Sequence, residues 1–298
     1  MKSKIILGNF LLICWIVAFA GCHPKADPNT KIQENIITVS IIPQKYFIEK
    51  IAGNRFKVNV MIPPGASPAT YDPSPAMIMQ LHRSKMYLQI GYLGFEQAWM
   101  ENIATANPQL KIKNVSKNID LIYDHEHHGE NNHDMRGIDP HTWMSVKNAG
   151  QMAYNFLEAL IEADPDREEE FKTNYHNFIA EIDTLDQFIE KKFKDIPSRK
   201  FLIYHPALSY FARDYRLEQI AIEKEGKSQP PAYIQEVIRE ATNEKISIIF
   251  VQKQFDIENA KAIAKEINGR VSRIDPLDYE WEQQIREMTE ALANSMNP

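Results

Sequence analysis

The sequence predicts an α/β protein made of two similar parallel-sheet lobes joined by one long helix. Three observations carry this. Apolar strand-like runs alternate with helical patterns in both the N-terminal and C-terminal parts, and βαβα order implies a parallel sheet covered by helices. One helical pattern, over 166–196, is far longer than the rest and separates the two series. The chain has 298 residues, 44% hydrophobic and 25% charged, which is globular composition at the size of two ordinary domains.

Lys2 and Lys4 precede a mostly apolar stretch, Ile5 to Ala20, which ends in small residues at Ala20-Gly21-Cys22. A basic start, an apolar run and small residues before a cut site read as an export signal over 1–21. The run is short for a membrane span. Ala-Gly-Cys at its end resembles the bacterial lipoprotein box, which implies lipidation of Cys22 and attachment to a bacterial membrane. Removing 1–21 takes the net charge from −6 to −8. It also removes Cys14, so no free thiol is left for catalysis or metal binding. Residues 22–36, polar and with two prolines, are expected to be a flexible tether.

The first lobe is expected over 37–165. Asn35–Ile42 is a β-branched strand, and Gln44–Ile51 a short helix stopped by Gly53. Phe56–Ile62 alternates as a strand and breaks at Pro63-Pro64-Gly65. Ala76–Leu81 is a brief helix, Met86–Ile90 a strand, Phe95–Thr105 a helix and Leu110–Val115 a strand. Phe171, Tyr175, Phe178, Ile182, Leu185, Ile189 and Phe193 recur at three- and four-residue steps in the linker helix 166–196. Pro165 and Asp166 suit its start, and Pro197 its stop. At roughly 45 Å it is long enough to pack on both lobes. The second lobe, 197–298, repeats the alternation. Its strands are Lys200–Tyr204, Leu217–Ile222, Ile246–Val251 and Arg270–Ile274. Its helices are Ala232–Thr242, Ile257–Ile267 and Glu280–Ser295.

Net charge argues against nucleic acid held by bulk positive charge. Histidine placement is more informative. Four of the nine histidines, His125, His127, His128 and His133, fall in the polar loop 124–134 (DHEHHGENNHD), where an even spread would place about 0.3. Dense neutral imidazoles capture borderline-soft cations such as Zn²⁺, and many loosely held donors make such capture labile. No HExxH helix is present. His205 follows a strand in YHPALSYF, His141 lies in the turn DPHTW, and Asp275 follows the strand VSRI. The crevice beyond the carboxyl ends of the strands is the default ligand site of open α/β sheets.

Four pieces occur in order: PPGASPATYDPSP (63–75), DPHTWMSVKNAG (139–150), YHPALSYFARDYRLEQIAI (204–222) and RIDPL (273–277). Together they resemble the solute-binding lipoproteins of zinc and manganese ABC importers, from about residue 37 to the end. The resemblance implies a divalent metal held in a cleft between the two lobes, with His141, His205 and Asp275 as ligands. It departs from the pattern at Ala69, where the family usually has a histidine. Three protein ligands and a water satisfy tetrahedral Zn²⁺, and Gln44 or a histidine of the 124–134 loop is a candidate for the empty place.

The expected function is capture of Zn²⁺, with Mn²⁺ as the alternative, by a monomeric, exported, lipid-anchored protein that passes it to an ABC permease. Two readings from other classes compete. Two histidines, an aspartate and a water also suit an open catalytic zinc site, with Glu96 or Asp72 as base. A lipoprotein of the same fold could instead take a metal chelate or a partner, with Tyr71, Trp99, Trp143 and Tyr210 lining its pocket.

Overall fold

The computed structural model describes residues 35–123, 137–223 and 229–297. The expected signal, Cys22, most of the tether and the histidine-rich loop 124–134 lie outside them. In the first lobe β1 (Ile36–Val39), β2 (Lys57–Val60), β3 (Met86–Gln89) and β4 (Lys111–Asn114) pair in parallel in the order β2-β1-β3-β4. In the second, β5 (Lys200–Ile203), β6 (Glu218–Ala221), β7 (Ile248–Gln252) and β8 (Arg270–Ile274) repeat that order as β6-β5-β7-β8. The central strands carry the apolar runs. Every residue of β1 and β7 is buried, because each is paired on both edges and helices cover both faces.

Among the described residues the helices are α1 (Ile42–Ala52), α2 (Pro75–Gln80), α3 (Gly94–Ala106), α4 (Val146–Ala163), α5 (Glu168–Phe193), α6 (Ser209–Asp214), α7 (Pro231–Asn243), α8 (Ile257–Glu266) and α9 (Trp281–Ser295). None of them is long and apolar enough to cross a membrane. Helix α1 begins two residues before the sequence pattern does. Pro43 fits its first turn, and the Gln44 side-chain Oε1 accepts from the Ser40 and Ile41 N–H groups at 2.9 and 3.0 Å.

The linker splits into a 3₁₀ turn at Pro165–Arg167 and the 26-residue α5, about 39 Å long. It ends three residues before the expected Ile196, since the residue before a proline is steered out of helix. Glu168, Glu169 and Glu170 in its first turn and Lys191 and Lys192 in its last complement the helix dipole. Its buried stripe of Phe171, Phe178, Ile182, Leu185, Ile189 and Phe193 packs against α1, α4 and α9, and Phe193 meets Phe211, beyond β5, edge to face with centroids 6.0 Å apart. Asn174 donates to the Ile51 carbonyl at 3.0 Å, and the Tyr215 hydroxyl to Asp186 at 2.6 Å.

One apolar core runs through both lobes, and a smaller one lies in the second lobe around Leu202, Ile249 and Val237. Two indoles cross the junction. Trp143 Nε1 donates to the Pro276 carbonyl, and Trp281 Nε1 to the Trp143 carbonyl, both at 2.8 Å.

Candidate metal site

The lobes enclose a cavity of about 750 Å³. Its first-lobe wall includes Ala69, Tyr92 to Gly94 and His141; its second-lobe wall includes His205, Gln252 and Phe255. Tyr123 and Gly137, which flank the histidine-rich stretch, also line it.

His141 is fixed by the turn that carries it. Asp139 N donates to the Ile122 carbonyl at 2.9 Å, and the buried Tyr210 hydroxyl donates to the Asp139 carbonyl at 2.8 Å. Asp139 Oδ1 then accepts from the His141 backbone N at 2.9 Å and lies 2.8 Å from His141 Nδ1. Burial pushes the Asp139 carboxyl up. Its contacts with His141 and the Ser209 hydroxyl together outweigh that, and the net direction is below the usual range.

His205 stands two residues past β5. Gln252 Nε2 donates to its carbonyl at 2.6 Å, and its ring stacks on Phe255 with centroids 5.0 Å apart. Its Nδ1 lies 2.9 Å from Glu223 Oε2. Glu223 is carried there by the β5–β6 ladder, which its backbone N extends by donating to Tyr204 O at 2.8 Å.

The two imidazoles therefore meet from opposite lobes, with ring centroids 5.2 Å apart and planes at 69°. Their side chains are 14% and 17% exposed. An imidazole that donates from Nδ1–H keeps its lone pair on Nε2. Each ring thus offers one free donor atom.

Asp275 is not brought to this pair. It follows β8, but Oδ1 accepts from Leu277 N at 3.1 Å and Gln254 Nε2 at 3.2 Å, while Oδ2 faces Lys253 Nζ at 3.0 Å. The hydrogen bond to Asp275 raises the Lys253 pKa. Asp275 lines a smaller neighbouring pocket with Gln254 and Leu277. Among the described residues no three His, Cys, Asp or Glu side chains converge closely enough to hold a metal.

Ala69 lies on the cavity wall, and its side chain offers no donor. Its loop docks closely on α3: a Cβ at Gly94 would stand 2.6 Å from the Ala69 carbonyl oxygen. Gln44 is not free to replace the missing ligand. It is buried, its oxygen caps α1, and its Nε2 donates to the Leu88 carbonyl at 2.8 Å. Glu96 is no base for a bound water either. It is buried away from the cavity wall and accepts from the Ser40 hydroxyl and from Ile90, Gly91 and Leu93 N–H groups at 2.8, 2.6 and 3.3 Å. Burial pushes its pKa up to about 7 against those bonds. Asp72 is exposed and accepts from Trp99 Nε1 at 3.1 Å. Of the four aromatics considered for a pocket lining, only Trp143 lines the cavity.

Sequence reading missed Asp139 and Glu223. The first was visible as a carboxylate two residues before His141. The second has no local signal, because only the strand pairing brings it to His205.

The two parallel-sheet lobes are those of the metal-transporter substrate-binding proteins. The model of the zinc-uptake complex component A, periplasmic, matches residues 37–295, and the chain belongs to that family. A crystal structure of a ZnuA deletion mutant with zinc bound superposes with a TM-score of 0.82 at 33% identity, covering 89% of this chain and 99% of that one. The manganese ABC transporter substrate-binding lipoprotein PsaA of Streptococcus anginosus is 26% identical over 90% of this chain and 87% of its own length. The zinc-binding lipoprotein AdcA of Streptococcus pneumoniae is 23% identical over 96% of this chain, which spans 57% of that longer protein. The family is one of solute-binding proteins of metal transporters and not of enzymes, which removes the hydrolase reading.

Proposed function

We propose that the chain captures Zn²⁺ outside the cytoplasmic membrane on the Nε2 atoms of His141 and His205 and delivers it to an ABC permease. The separation of the two rings carries this reading. With Zn–N about 2.1 Å, two imidazoles spanning a tetrahedral angle place their centroids roughly 5 Å apart, close to the observed 5.2 Å. The carboxylates behind both rings are the supporting shell such ligands require. Imidazole nitrogen favours zinc, whereas manganese suits oxygen donors. Relatives carry names for both metals. Asp275 is proposed as the third ligand, exchanging Lys253 for the metal. Lys253 is 54% exposed, and such an ion pair contributes only about 0–1 kcal/mol.

In the same reading Cys22 carries the lipid anchor, the linker holds the lobes, and His125, His127, His128 and His133 collect metal for the site. Calorimetric titration of the chain from residue 23 tests it. One tight zinc ion per chain is expected, with manganese weaker, lost in His205→Ala and retained when 124–134 is deleted. Weak multi-ion binding that disappears with the loop would contradict it.

One observation favours a second reading. The cavity is of small-molecule size, and among the described residues only two histidines converge in it, so the metal would arrive with a small chelator that fills the remaining positions. Zinc given with equimolar free histidine should then bind more tightly than zinc alone.

A further inference from the structure

Glu223 is 5% exposed, yet little holds it there. Its Oε2 faces His205 Nδ1 at 2.9 Å, and its Oε1 is buried with no hydrogen-bond partner among the described residues. A carboxylate buried and half satisfied is costly. Packing alone would be better served by an apolar side chain, and the strand ladder uses only its backbone. The side chain's one polar contact among the described residues is to the ring nitrogen opposite the free donor of His205.

We propose that Glu223 is the positioning residue of His205, holding Nδ1–H and thereby committing the lone pair to Nε2 for the metal. This rests on the reading of His205 as a metal donor. A cation on Nε2 draws electron density from the ring and strengthens the Nδ1–H···O bond, so binding also compensates the buried carboxylate. Phe255 and Gln252 fix the ring face and the backbone, and Glu223 fixes the remaining freedom, the tautomer. Ala69 has no donor atom, so His141 is the imidazole of the opposite wall and the orientation of each of the two rings carries more of the affinity. Asp139 serves His141 separately, which makes His141 an internal control.

The test uses histidine-¹⁵N-labelled wild type, Glu223→Ala and Glu223→Gln, without metal, in long-range ¹H–¹⁵N spectra, followed by competitive zinc titration of the same samples. The expected result is an Nδ1–H tautomer of His205 in wild type that is lost in Glu223→Ala, with His141 unchanged. Zinc affinity should fall about 10–100-fold in that variant. Glu223→Gln keeps the volume, guards against a folding artefact, and should fall in between. A His205 tautomer identical in wild type and Glu223→Ala overturns the proposal, as does a shifted tautomer with unaltered zinc affinity. If wild type takes up no zinc, the metal reading fails on its own, and the metal-free spectra still decide the positioning role.

Discussion

Asp139 and Glu223 reach their imidazoles by different routes. Asp139 is two residues from His141 and acts within one turn; Glu223 is 18 residues from His205 and arrives through strand pairing. Glu96 shows the same chemistry turned to structure: its oxygens gather the N–H groups of Ile90, Gly91 and Leu93, so the loop on the cavity wall is shaped by one buried carboxylate. Its pKa is raised from 4.5 to about 7. Its proton-linked stability is therefore fully present below about pH 4.5 and is lost as pH rises through about 7, roughly 3 kcal/mol in all. Denaturant unfolding across that window should show this decline in wild type and not in Glu96→Gln, where other carboxylates cancel in the comparison. Parallel pH profiles for the two proteins would refute the assignment.

At the scale of elements, the loop after β2 and the start of α3 meet as backbone against backbone. Phe95 N donates to the Pro68 carbonyl at 3.0 Å beside the close approach of Gly94 to Ala69. Gly94→Ala should push that loop away and destabilise the fold by about 1–3 kcal/mol, seen as a lower urea midpoint; an unchanged midpoint would mean the loop is free to shift. The elements themselves were largely legible in sequence. IITV, KFLI and IIFV read as strands because central parallel strands are apolar on both faces. The start of α1 was not, because a side-chain cap by Gln44 leaves no mark on periodicity. His141 and His205 could be chosen from motifs, while the engagement of Asp275 by Lys253 could not. That pairing depends on the register of β7 against β8, which sets Gln252 beside Ile274.

On the scale of the whole molecule, the site belongs to neither lobe alone. His141 comes from the first and His205 from the second, and Trp143 and Trp281 tie the two together within one continuous core. Helix α5 packs on α1 and α4 and reaches Phe211 and Tyr215 of the second lobe, so the distance between the two imidazoles is set by the packing of the entire fold. The measurement that tests this most directly is zinc X-ray absorption on the one-to-one complex of the chain lacking 124–134. The account predicts two imidazole nitrogens at about 2.0–2.1 Å with the remaining places filled by oxygen. A zinc shell without imidazole would contradict it.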